Sequence, residues 1–398
     1  MNPLSQKIDA LLERYEEAII AHRRWFHTHP ELSGQEKESG AYIAAELRKL
    51  GLEPIENVGG YGVTAVIEGK APGKCIGLRA DFDALPIQEA TGLPFASQNP
   101  GVMHACGHDA HPAILLGAAM VLLELRDQFS GSVKLVFQPS EENSADSGAK
   151  KMIADGALEN PRVDAMIGQH IVPGDPVGSI SMKDGVCSAA SDRFFISIQG
   201  KNAHASTPQA GVDAIVIGAQ IITALQTIVS RNVGPLDSAV LTIGKVVGGD
   251  RYNVLGGYLE MEGTCRNLNP EVRNAMPGRM ENIIKGIAEG MGASYTFNYI
   301  MGYSSNINDH GMFELTRETS TELLGKENVI IQEECGLGGE DFCFFAEKVP
   351  TIYFQTGCRP EDAPVFPLHN GKMVLNEAGL KVAARVMLNT ALNYLAQE

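Results

Sequence analysis

The chain has 398 residues, 44% of them hydrophobic and 20% charged, with a net charge of −16. That length predicts two domains and a large core. The surplus of acid excludes a nucleic-acid partner, which needs Lys and Arg in excess to meet phosphate, but leaves small anionic substrates open because they respond to the local field of a pocket. No apolar run approaches the roughly 20 residues needed to span a bilayer, and Met1–Lys7 leads straight into a charged amphipathic helix without a signal-peptide core. The seven cysteines, at 75, 106, 187, 265, 335, 343 and 358, are odd in number and contain no CxxC. This pattern predicts free thiols and a cytoplasmic location, with no disulfide scaffold.

Apolar Ile8, Leu11, Leu12, Tyr15, Ile19 and Ile20 recur at helical spacing, which predicts a helix from Leu4 to Thr28. It closes on His27-Thr28-His29-Pro30, where Pro30 forces an extended exit. His27 and His29 are either ligands or histidines hydrogen-bonded at a helix end. A second helix, Glu36 to Leu50, is stopped by Gly51. Strands follow at Gly62–Ile67 and Lys74–Asp81. The octet His104-Ala105-Cys106-Gly107-His108-Asp109-Ala110-His111 then precedes Pro112 and an apolar helix running to about Phe129. A thiol in that turn faces the positive end of the helix dipole, which is expected to lower its pKa. The octet reads either as part of a metal site or as a buried structural cysteine with capping groups.

A strand Ser132–Gln138 is halted by Pro139 and followed by Ser140, Glu141 and Glu142; a strand Val163–Gln169 ends on His170; a strand Pro350–Gly357 precedes His369. Strands alternating with helices predict a mainly parallel α/β sheet, in which ligands bind beyond the carboxyl ends of the strands. Asp81, Glu141, Glu142, His170 and His369 all fall near such ends. Residues 188–302 instead read as βαββαβ, the ferredoxin-like order. The expected organisation is thus a first catalytic part at 1–187, an inserted α+β domain at 188–302 and a second catalytic part at 303–398.

Cys106, His108, Glu142, His170 and His369 offer one thiolate, three imidazoles and a carboxylate. One catalytic zinc takes three protein ligands, so this set suits two metals sharing a water. Glu141, beside a ligand but outside the set, is the expected general base; the alternative for Glu141-Glu142 is a solvated acidic pair.

The octet, Gln138-Pro139-Ser140-Glu141-Glu142, Arg79-Ala80-Asp81-Phe82-Asp83-Ala84-Leu85-Pro86, Gly200-Lys201-Asn202-Ala203-His204-Ala205, Gly339-Glu340-Asp341-Phe342 and Pro367-Leu368-His369-Asn370 resemble, in the same order, the M20 metallopeptidase family. Within it they resemble the amidohydrolase branch of aminoacylases, hippurate hydrolases and auxin–amino acid conjugate hydrolases. The resemblance implies a two-metal hydrolase with an inserted lid and dimerisation domain. It matches Cys106, His108, Glu142, His170 and His369 to metal ligands, Glu141 to the catalytic base and Asp81 to an acid that orients a ligand. It also implies that His204 polarises the scissile carbonyl, in the partner subunit's site of a homodimer. Asn253 and Arg266 correspond to substrate-holding residues of the lid, with Arg suited to a carboxylate by its planar fork. As single residues, His204 also reads as a surface-loop histidine, Asn253 as a turn amide and Arg266 as a sheet-edge charge. The peptidase branch has His where Arg79 stands, so Arg79 is no ligand. Ser140, Cys343 and Asn370 replace the Ala, Ser and Ser more usual in this branch.

The expected activity is hydrolysis of an N-acyl amino acid to a carboxylate and a free amino acid, with two divalent ions per subunit. A thiolate favours zinc, with manganese the alternative. The other readings are a dipeptidase or aminopeptidase of the same fold, and a non-catalytic metal-binding scaffold. The presence of Glu141 argues against a scaffold, which has no need of a base.

Overall fold

The computed structural model describes residues 3–397. The chain divides into two compact units. One comprises the chain up to Cys187, Ile307–Cys335 and the chain from Asp341 onward; the other comprises Ser188–Asn306 and Gly336–Glu340.

The first unit opens with helices α1 (Pro3–Thr28) and α2 (Lys37–Lys49) and strands β1 (Ile55–Val58), β2 (Gly62–Glu68) and β3 (Cys75–Asp81). Helix α3 (Ala110–Leu125), strand β4 (Ser132–Gln138), helix α4 (Gly148–Ala154) and strands β5 (Ala165–Val172), β6 (Ile180–Met182) and β7 (Gly185–Val186) follow. In the second unit come β8 (Ala190–Gln199), α5 (Ala214–Thr227), β9 (Ala239–Gly248), β10 (Tyr258–Asn267), α6 (Pro270–Gly290) and β11 (Ser294–Tyr303). The chain then returns through β12 (Ile307–Asn308), α7 (His310–Leu324), β13 (Val329–Ile331), α8 (Cys343–Ala346), β14 (Thr351–Gly357) and α9 (Ala378–Leu395).

Eight strands form the sheet of the first unit in the order β1-β2-β4-β3-β5-β14-β6-β13. Its centre, β4-β3-β5-β14, is parallel throughout. Strand β3 is buried over its whole length, and α3 is buried nearly all round, as a helix apolar on every face must be. Helices α1, α2, α3, α7 and α9 share one apolar core with the sheet. Two boundaries differ from expectation. The helix after the octet stops at Leu125 and tightens into a 3-10 turn, Arg126–Gln128. Strand β5 continues to Val172 because β14 pairs with it from Met166 to Val172, so His170 lies within the strand instead of beyond it.

In the second unit the sheet order is β11-β8-β10-β9, antiparallel at every pair. Placing the first strand between the third and fourth is the ferredoxin-like arrangement. Phe194, Ile196 and Ile198 alternate onto the covered face of β8 and pack against Ile217, Ile221 and Leu225 of α5 and Met276, Met280 and Ile284 of α6. With the π turn that follows it, α5 makes a 19-residue stretch, Ala214–Asn232, with the length and hydropathy of a membrane span. This corrects the expectation that no apolar run approaches that length. The stretch earns its apolar face by packing on this sheet.

Candidate metal centre

Within the first unit, the expected ligands Cys106, His108, Glu142, His170 and His369 lie near one another toward the carboxyl edge of the parallel strands. Asp81 ends β3 and Asp83 lies in the loop just beyond it, and both are buried. The octet forms a turn in which Gly107 N–H donates to the His104 carbonyl and Gly107 takes φ +83°. A β-carbon at Gly107 would come within 2.4 Å of Ile171 Cδ1, so only glycine lets this turn lie against β5. Cys106 Sγ consequently stands 3.4 Å from His170 Nε2. His170 Nδ1 donates to the Ile171 carbonyl at 2.7 Å, which leaves Nε2 as the lone-pair nitrogen facing the thiol.

Among the groups of donor atoms whose members all lie within 4.8 Å of one another, three join the expected ligands: Cys106, His108 and His170; Cys106, Glu142 and His369; and His108, Glu141 and Glu142. The first two share Cys106, and the third brings Glu141 into the same cluster. His369 Nε2 lies 3.2 Å from Glu142 Oε1. Buried His108 Nε2 makes no hydrogen bond. A ring nitrogen left bare inside a protein is costly unless something else occupies it, so the set fits divalent cations of the kind that accept nitrogen, sulfur and oxygen together.

Electrostatics divide the cluster. Burial drives the Cys106 thiol up to about 12, overturning the expectation that the helix end lowers it. The dipole is worth a fraction of the desolvation that a wholly buried thiolate suffers. Burial also holds His170 well below the ordinary imidazole range. His108 goes the other way: burial opposes its charge, but the Asp81 carboxylate, Cys106 and Asp83 outweigh burial and raise it. For Asp81, burial is outweighed by Arg79, His108 and His111, and the carboxyl is held well below its usual range.

Several residues that sequence reasoning passes over complete the surroundings. Asp83 Oδ1 meets His108 Nδ1 at 3.1 Å, and its Oδ2 accepts from the Glu142 N–H at 2.9 Å and from Ser33 Oγ at 2.6 Å. Asp81, expected to orient a ligand, hydrogen-bonds His111 Nδ1 and lies 3.5 Å from His108 Nε2. Arg79 is fully buried and bridges Asp81 and Asp341, each at 2.9 Å. Asp341 in turn accepts from Gln138 and Ser147, and its N–H lies 3.4 Å from Glu141 Oε1. Within the octet, Asp109 bonds Arg23 at 2.9 Å and His27 at 2.8 Å. His27 also meets Glu89, and His29 Nδ1 bonds the Trp25 carbonyl, so both are hydrogen-bonded at the helix end. The signals for these residues are present in the sequence: Asp83 lies two residues beyond Asp81 in the loop leaving β3, and Arg23 sits one helical turn before His27 on the buried stripe of α1.

In the second unit His204 is exposed, in a loop where Nδ1 accepts from the Ser206 N–H at 3.1 Å. The Ala205 N–H donates to the Asn253 carbonyl, which sets the His204 loop beside Asn253. Asn253 Oδ1 is buried without a hydrogen bond. Arg266 stands on β10, with Nη1 bonded to Thr264 Oγ1 and the Cys265 carbonyl.

Comparison with known proteins agrees with this geometry. The model of peptidase family M20/M25/M40 matches residues 77–393. An N-acetylcysteine deacetylase of Bacillus subtilis is 40% identical over 374 residues, 94% of this chain and 96% of its own. An N-acyl-L-amino acid amidohydrolase of Geobacillus stearothermophilus is 43% identical over 303 residues, 76% of this chain and 81% of its own. The crystal structure of Bacillus subtilis YXEP, described as a dinuclear metal-binding peptidase of the M20 family, superposes with a TM-score of 0.83 at 36% identity, covering 96% of this chain and 99% of that one.

Proposed function

Because the chain belongs to peptidase family M20/M25/M40 and is a metal-dependent hydrolase of the amide bond in N-acyl amino acids, we propose how its own residues divide the work. The observation that carries the reading is the pair of donor triads sharing Cys106, with Glu141 beside them. Cys106, His108 and His170 would hold one of two divalent ions, and Glu142 and His369, with Cys106 beside them, would hold the other. When bound, such ions polarise the scissile carbonyl and acidify the attacking water. Glu141 takes the proton from that water and passes it to the leaving nitrogen. Asp81 and Asp83 fix the imidazoles against rotation. The thiolate among the donors favours zinc, with manganese the alternative.

The second unit serves as lid and dimerisation surface in this reading. Its edge strand β9 exposes Val246 and Val247, and an unpaired apolar edge is covered most simply by a second copy across a two-fold axis. His204 then reaches the neighbouring subunit's site to polarise the carbonyl, with Asn253 and Arg266 holding the substrate and its carboxylate. An odd number of cysteines without a CxxC supports a reducing, cytoplasmic setting.

The test is Glu141→Gln assayed on a panel of N-acyl amino acids and dipeptides. The variant is expected to keep its metal and lose roughly a hundredfold or more in turnover; near-native turnover with full metal overturns the assignment. Mixing Glu141→Gln with His204→Ala after subunit exchange is expected to restore activity, since a hybrid dimer has one site with both groups. No recovery above either parent rules out sharing between subunits.

A further inference from the structure

The turn that delivers Glu141 and Glu142 contains a conformation that its sequence does not favour. Ser140 takes φ +55°, the left-handed region that a residue with a β-carbon enters only when its surroundings hold it there. It follows Pro139, which has no N–H, so the Ser140 N–H is the first main-chain donor after β4. That donor is met by Glu36. Glu36 Oε1 accepts from the Ser140 N–H at 2.8 Å and from Ser140 Oγ at 3.0 Å. Glu36 is wholly buried, stands at the N-cap of α2, and gives its own helix no side-chain cap. Its carboxylate is spent on a residue 104 positions away.

The rest of the turn is equally confined. The Ser140 carbonyl accepts from the Gly148 N–H at 3.2 Å, and a β-carbon at Gly148 would fall 1.7 Å from the Pro139 carbonyl oxygen. The loop that carries Glu36 also carries Ser33, whose hydroxyl bonds Asp83 at 2.6 Å. One short strap between α1 and α2 therefore touches the strand-end residue before Glu141 and the carboxylate that holds the Glu142 main chain.

We propose that Glu36 is a positioning residue for the reaction: its buried carboxylate holds Ser140 in the left-handed conformation from which Glu141 and Glu142 are presented. The inference rests on the roles given above to those two residues. Without an acceptor at position 36, Ser140 relaxes toward negative φ and rotates the Glu141 carboxylate out of line.

The experiment compares Glu36→Leu and Glu36→Ala with and without Ser140→Gly, beside Ser140→Gly alone, reading kcat, KM, metal content and amide exchange at Ser140. Leu fills the volume and removes a buried charge, so it keeps the fold if Ala does not. Glu36→Leu is expected to lower kcat by about tenfold to a hundredfold, the scale of a small misplacement of a catalytic group, with KM changed less than about twofold. Exchange at the Ser140 N–H is expected to rise at least about tenfold as its acceptor is lost. Adding Ser140→Gly restores most of kcat, because glycine holds positive φ unaided. Glu36→Gln, which keeps one acceptor oxygen, falls between parent and Glu36→Leu. A purely structural role for Glu36 gives a loss that Ser140→Gly leaves in place, and that result, or unchanged Ser140 exchange, overturns the proposal. The exchange reading needs no turnover, so a protein inactive on every substrate sinks the functional reading while Glu36 is still judged.

Discussion

Asp83 Oδ1 stands 3.1 Å from His108 Nδ1, and this contact leaves Nε2 of the same ring buried without a hydrogen bond. The carboxylate thereby chooses which imidazole nitrogen is offered to a cation. Because its second oxygen holds the Glu142 N–H, Asp83→Ala disturbs two donors together. Metal affinity is expected to fall by about tenfold to a hundredfold, with Asp83→Asn between the two. Unchanged affinity in competition titrations against a chromophoric chelator would falsify the role.

Removing a donor itself has a different signature from removing the base. Glu142→Ala and His170→Ala are expected to lose bound metal along with rate, since an incomplete buried donor set binds weakly. Elemental analysis of the purified variants decides the matter. Full occupancy in either one removes that residue from the set.

Metal uptake is expected to depend steeply on pH. Cys106, near 12, and His108, raised well above its ordinary value, both carry protons in the metal-free protein at neutral pH, whereas His170 does not. A donor must lose its proton to ligate, so raising pH favours binding. Affinity should climb by more than about tenfold per pH unit between pH 6 and 8, and Cys106→Ala should flatten that slope. Equal slopes for parent and variant would mean that Cys106 enters the complex as a thiol or not at all.

Glu36 gives a separate pH dependence in chelator-treated protein. Burial, assisted by the Asp83 charge, raises its carboxyl from 4.5 to about 7. Between those values the folded state binds more protons than the unfolded state, so this group's contribution to stability falls as pH rises through the window. The full penalty, reached above about pH 7, is at most roughly 3 kcal/mol. Urea denaturation is expected to show Glu36→Gln gaining on the parent as pH goes from 4.5 to 7.5. Parallel stability curves contradict this.

Arg79 carries the largest stability prediction. It is fully buried between Asp81 and Asp341, and Arg79→Met strands both carboxylates. Breaking a buried pair on one side costs about 3–5 kcal/mol, which should appear as a lowered urea midpoint. A loss under about 1 kcal/mol means that another cation or a proton compensates.

What the sequence makes legible is periodic or local. The βαββαβ order of the second unit reads from strand alternation and helical spacing. The octet reads as a turn before a helix because Gly107 and Pro112 mark it. Residues on the carboxyl edge of a parallel sheet gather by topology, which explains why Cys106, His108, Glu142, His170 and His369 lie near one another. Partners across long separations are not legible in this way. Arg23 and Asp109 lie 86 positions apart, and Arg79 and Asp341 lie 262 apart. Periodicity assigns each of these to a buried face but says nothing of the charge waiting there. The extent of β5 is hidden for the same reason, because it is set by pairing with β14 nearly two hundred residues later. Cys106 shows a third kind of failure: the helix end is visible in the sequence, but the depth of burial that outweighs it is a property of the assembled fold.

Strand β14 lies between β5 and β6, and Ser5 of α1 hydrogen-bonds Asn389 of α9, 384 positions away. During synthesis the sheet of the first unit therefore waits with a gap in its middle until the last fifth of the chain has left the ribosome. The second unit, almost continuous in sequence, can fold long before. Until β14 arrives, β5 and β6 present open edges of the sort that recruit foreign strands. The nascent chain in that interval is a natural client for chaperones, and loss of the last helix removes a wall of the core instead of trimming an end.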